Sequence, residues 1–172
     1  MKNSVIRIAV IALFVMGFSN AVVAQMAKYQ ALYIYNFAKN TSWPIEDANK
    51  DLVITIIGDK ELTQELKTLA AAKTIVNRNI VVRSAASIST VGNSDIICLG
   101  ESKSSQINLV VNDQAGKNTL IVSSKQGQCA NGAGIAFTSA DGKLGYEISK
   151  KNINNGGLHV DSRLMDLGTE VY

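Results

Sequence analysis

The chain is poor in the residues that carry most chemistry: one histidine, one proline, one tryptophan and two cysteines in 172 residues. A zinc site needs three or four His, Cys or carboxylate ligands at usable spacing, and none is visible around His159. A Ser-His-Asp site would have only His159 for its base, and the chain holds no G-x-S-x-G elbow. The carboxylates are few and scattered, so nothing marks a glycosidase pair. No Lys/Arg cluster with interleaved aromatics marks a nucleic-acid surface, and no basic amphipathic helix marks a membrane surface. Gly127, Gly132 and Gly134 lie close together, but they lead into a strand and carry no Gly-Lys-Ser/Thr. They read as an approach loop, not a phosphate cradle. The expectation is a binding protein without cofactor or metal, not an enzyme.

What is present begins with an export signal. Lys2 and Arg7 precede an apolar run from Ile8 to Phe18, and Val22-Val23-Ala24 offers a small-residue cleavage site. The run is short for a bilayer span, which takes about 20 apolar residues. Residues 1–24 are therefore expected to be a cleaved signal peptide, leaving Gln25 first and a single domain over 25–172. Two of the 17 basic residues and none of the 14 acidic ones lie in the leader, so the net charge drops from +3 to +1. In an oxidising periplasm Cys98 and Cys129 can form a disulfide, or stay as two buried thiols that never meet.

Along the mature chain, strand and helix patterns alternate. Met26–Asn40 reads as a helix with Tyr29, Leu32, Tyr33 and Phe37 on one stripe and Ile34, Tyr35 and Ala38 on the other side. A helix this apolar all round is buried, or covered by a partner. Asn36, on the Leu32/Phe37 side, reads as a hydrogen-bonded core amide. Trp43-Pro44 ends the helix. The β-branched run Leu52–Ile57 reads as a central parallel strand. A helix over Glu61–Ala72, strands over Asn79–Arg83 and Ser94–Leu99, a helix over Ser104–Gln114 and a strand over Asn118–Val122 follow. Gly134–Ser139 and Lys143–Ser149 read as a hairpin turning at Asp141-Gly142. The polar tail suggests two short helices around Leu158-His159-Val160. The expected fold is a three-layer α/β domain, a mostly parallel sheet flanked by helices with a C-terminal antiparallel hairpin.

Two places invite a ligand. Gly58-Asp59 follows the first strand, where open α/β sheets bind ligands, although Asp59 reads better as the cap of the next helix. In the tail, Glu147, Lys150, His159 and Arg163 form the nearest approach to a convergent polar set. Arg163 suits a carboxylate or phosphate and His159 can report acidification, while the simpler reading pairs Arg163 with Asp161, Glu147 or Asp166 on a solvated face.

Several segments resemble the YfiR-like family of periplasmic proteins. They are Tyr33-Ile-Tyr-Asn-Phe-Ala-Lys39 with Trp43-Pro44, Ile54-Thr-Ile-Ile-Gly-Asp59, Asn131-Gly-Ala-Gly-Ile-Ala-Phe137, Tyr146-Glu-Ile-Ser, Leu158-His-Val and Ser162-Arg-Leu164. The resemblance implies an exported α/β protein that dimerises and controls an inner-membrane signalling enzyme through that enzyme's periplasmic domain. In the best-known case the target is a diguanylate cyclase held inactive, and relatives are associated with sensor histidine kinases instead; a rival reading from another class is a periplasmic small-molecule binding protein acting without a cyclase. It also implies a region for a small ligand around His159 and Arg163. The best-known member is disulfide-rich, whereas here the position that would pair with Cys129 is Ala136.

Overall fold

The structure, a computed structural model, describes residues 24–44 and 50–171. The expected leader, apart from Ala24, lies outside the described residues. Residues 24–39 are helical (α1). Ala27, Ala31, Ile34 and Ala38 recur at helical spacing and, with Phe37, form its buried face. The alanines let the helix backbone approach the sheet closely. The expected stripe is thus corrected: Tyr29 and Leu32 are 48% and 41% exposed. Asn36 is not a core amide but an exposed residue, whose carbonyl accepts from Asn40 Nδ2 at 2.8 Å. The helix is apolar on both sides, so its period cannot say which side turns inward.

After α1 come β1 (Thr41–Ser42), β2 (Leu52–Ile57), α2 (Lys60–Ala70), β3 (Ile80–Ala85), β4 (Ile96–Leu99), α3 (Ile107–Asp113) and β5 (Leu120–Ser123). Then follow β6 (Ile135–Ala140), β7 (Lys143–Ile148), α4 (Lys150–Asn155), β8 (His159–Val160), α5 (Ser162–Leu167) and β9 (Thr169–Glu170). The main sheet has the order β3-β2-β4-β5-β6-β7-β9, parallel from β3 to β6 and antiparallel at β6–β7. The fold class matches the sequence reading. Strands β2, β4 and β5 bury both faces, as their β-branched runs require.

Alternation along these strands divides the core. Ile54, Ile56, Ile96, Cys98, Leu120, Val122, Tyr146 and Ile148 face α1 and α2, with Ile153 of α4 and Leu164 of α5 in the same cluster. Ile57, Ile97, Leu99 and Ile121 face Ile107 and Val110 of α3 on the other side. The hairpin turns at Asp141 (φ 52°) and Gly142 (φ 73°), the paired left-handed geometry of a two-residue turn that matches strand twist.

Two ladders were not foreseen. β1 pairs antiparallel with β8, Ser42 opposite His159, and β9 runs parallel to β7 as the seventh strand. Both are two residues long, too short to carry a period, yet they tie the tail to the end of α1 and to the hairpin.

Candidate functional site

The sheet's strand order reverses between β2 and β4, the point where open α/β sheets hold ligands. Here the chain itself closes that crevice. Gly100 N–H donates to Ile57 O at 2.8 Å, and Ser102 Oγ donates to Gly58 O at 3.3 Å. A Cβ on Gly100 would sit 2.7 Å from the Gly58 carbonyl oxygen, so glycine is required there by close backbone approach. Asp59 caps α2, its Oδ1 accepting from Leu62 N–H at 2.8 Å. An open groove of about 590 Å³ remains beside it, between α2 and the end of β3.

The four tail residues do not gather. Glu147 is buried on β7, and alternation turns it away from Tyr146 and Ile148. Its Oε1 accepts from the Cys129 N–H at 3.2 Å. His159 is exposed on β8, and Arg163 is exposed on α5. Both elements pack on the Tyr146 side, where Tyr146 Oη donates to Leu164 O at 2.8 Å. The sheet therefore lies between Glu147 and the His159/Arg163 pair, and the expected convergence is corrected. Lys150 opens α4 and is exposed. Arg163 Nε lies 3.5 Å from Asp161 Oδ1, the local pairing read from sequence, at a side chain 78% exposed. A pair in such a place contributes about 0–1 kcal/mol.

The sheet also separates the cysteines. Both are free and buried, so the disulfide weighed from sequence is not formed. Cys98 belongs to the α1 side, while Cys129 sits with Glu147 on the other. Cys129 lies in a 3-10 turn over Gln128–Asn131, held between left-handed Gly127 and Gly132. Asn152 Nδ2 fastens that turn, donating to the carbonyls of Cys129 and Ala133 at 2.7 and 2.8 Å. Burial, with the nearby Glu147 carboxylate, pushes the Cys129 thiol up to about 12. Burial, and then Asp59, pushes the Cys98 thiol up as well. Burial raises the Tyr146 hydroxyl to about 12.

These shifts make an alkaline prediction. Each group is held neutral by the fold, so its contribution is complete below its unfolded value, 9.0 for Cys129. It is lost as pH rises from there toward about 12. Denaturant midpoints are expected to fall steadily above pH 9.0, with a shallower fall in Cys129→Ala. Both thiols are expected to resist a thiol reagent at pH 8 until the protein unfolds. Rapid labelling of folded protein would contradict the burial described.

One surface suits a partner. Tyr29 and Leu32 stand on the outer face of α1. Tyr33 turns its hydroxyl to Leu144 O at 3.3 Å. Between the start of α1 and the hairpin lies a cleft of about 450 Å³, lined by Met26, Tyr29, Tyr33, Lys143 and Leu144 among others. Exposed tyrosine beside aliphatic surface is typical of protein contacts. Among the described residues no three His, Cys or carboxylate side chains are grouped to hold a metal ion, and no helix is long and apolar enough to cross a membrane.

The fold defines a mostly parallel α/β domain with an antiparallel hairpin and an exposed aromatic face on α1. Residues 27–169 match the family described as YfiR/HmsC-like, and the chain belongs to that family. No curated protein matches the chain. The family is known in cyclic-di-GMP regulation and is regulatory rather than catalytic.

Proposed function

We propose that this protein is exported to the periplasm by the leader over 1–24. There, as a homodimer, it binds the periplasmic domain of an inner-membrane diguanylate cyclase and holds the enzyme inactive. The observation that carries this reading is the family match across 27–169. The exposed Tyr29 and Leu32 supply a contact surface that the protein's own core does not use. His159 and Arg163, both on the tail that β8 ties to the end of α1, supply a second polar surface on the same side of the sheet.

Deleting the gene is expected to raise cellular cyclic-di-GMP, and restoring it to lower the level again. Purified protein is expected to bind the periplasmic domain of the cyclase encoded nearby. A Tyr29→Asp, Leu32→Asp variant keeps the core intact and is expected to bind about tenfold or more weakly, as for central contact residues. A His159→Ala, Arg163→Ala variant tests the tail surface in the same assay. An unchanged cyclic-di-GMP level after deletion would remove the cyclase reading. Folded variants that bind and repress normally would remove those surfaces from it.

A further inference from the structure

Gln25 stands in the first turn of α1 and is exposed. Among the described residues its side chain makes one hydrogen bond, from Nε2 to Tyr29 Oη at 3.4 Å, at the long end for such bonds. The amide is therefore at the surface and loosely held. The backbone nitrogen is equally uncommitted, because the first N–H groups of a helix have no partner within it. A reaction at either nitrogen breaks no bond of the helix ladder.

A charged amine would be poorly placed at this residue. The start of a helix carries partial positive charge, which disfavours a cation. Over residues 24–39 the helix holds Lys28 and Lys39 and no carboxylate. Gln25 also lines the cleft of about 450 Å³ beside Tyr29 and Tyr33, to which the hairpin adds Lys143. No carboxylate lines that cleft, and Asp141 at the hairpin turn is exposed outside its lining. A neutral group suits the position better than an ammonium does.

We propose, on the export reading in which cleavage after Ala24 leaves Gln25 first, that the mature chain closes its own amino terminus into a pyroglutamyl residue. The neutral α-amine of Gln25 attacks Cδ of its own side-chain amide. A C–N bond forms and closes the lactam, the Cδ–Nε2 bond breaks, and Nε2 leaves as ammonia with the proton that the amine gives up. No co-reactant is consumed. The ring keeps one N–H at the start of the helix and removes one positive charge. The lactam then stands at the cleft beside Tyr29, so the surface offered to a partner carries a neutral ring in place of an ammonium.

Protein exported on its own leader is purified from the periplasm and held at pH 6 and at pH 8, and its amino-terminal peptide is followed by mass spectrometry. The expected product is the chain 25–172 lighter by one ammonia. It is expected to resist stepwise amino-terminal degradation until pyroglutamyl aminopeptidase exposes Met26. Conversion still under way is expected to run faster at pH 8, because only the unprotonated amine attacks and an α-amine titrates at about 7.7–8.0. Gln25→Asn keeps an amide but is one methylene too short to close an unstrained ring, and is expected to keep its free amine throughout. The converted protein is expected to focus at a lower pH than this variant. A mature chain that begins with Gln25 and still has a free amine after a week at pH 8 would overturn the proposal and leave the export reading standing. An amino terminus at another residue would remove both. Loss of ammonia from Gln25→Asn as well would also overturn the proposal, since the loss would then come from another amide.

Discussion

Replacing Asp95 by alanine is expected to destabilise the protein by about 3–5 kcal/mol, because it strands a buried guanidinium. Asp95 and Arg78 meet at 3.1 Å with side chains 14% and 7% exposed. The second carboxylate oxygen, Oδ2, accepts from Val53 N–H at 2.7 Å, so the same substitution also orphans a backbone donor of β2. Arg78 meanwhile fastens the chain at Lys50 and Asp51 to the turn before β3. One ion pair therefore joins the starts of β2, β3 and β4. Urea unfolding of the variant against the parent measures the cost. Exposed Lys117, 3.3 Å from Asp113, gives the contrast: Lys117→Ala is expected to cost under about 1 kcal/mol. Equal costs for the two would show that the Arg78–Asp95 pair is solvated.

Phe37→Ala is the second large effect, about 3–5 kcal/mol. Phe37 is fully buried, and its ring lies 4.9 Å from that of Tyr146 in an edge-on contact and 5.8 Å from that of Phe137. Tyr33 completes the cluster, 6.0 Å from Phe37 and 5.6 Å from Tyr146. These four rings seat α1 on the hairpin, so the cavity left by alanine opens where two elements depend on each other. Leu32→Ala, one turn away and outward, is expected to cost under about 1 kcal/mol. If thermal unfolding showed Leu32→Ala to cost as much as Phe37→Ala, the inward face of α1 would be other than described.

The contrast between Phe37 and Leu32 marks where sequence reading stopped. Both fit the helical period, and Asn36 sat on the side that reading turned inward, yet the structure exposes Leu32 and Asn36. The chemistry of the site shows the same limit. Glu147 and Lys150 are close in sequence to one another and to the tail, which suggested convergence with His159 and Arg163. Strand alternation sends Glu147 through the sheet to the Cys129 amide instead. The Arg78–Asp95 pair had no sequence signal at all, since it belongs to no spacing or motif. The local reading of Arg163 with Asp161, and of Asp59 as a cap, needed only neighbours within three residues, and both hold.

By itself, then, the sequence determined the elements: β-branched runs for the parallel strands, Asp141-Gly142 for the hairpin turn, and the motifs that place the chain in its family; α1 instead ends at Lys39, before β1, so Trp43-Pro44 is not what stops it. Those signals are local, written in propensity, period and turn chemistry over a few residues. Only the tertiary structure decided which side of α1 is buried, which face of the sheet each cysteine occupies, and that the β2–β4 crevice is filled by Gly58 and Gly100. It alone brought Arg78 to Asp95. Such choices depend on contacts between distant segments, where packing and charge pairing select among arrangements that local patterns leave equal.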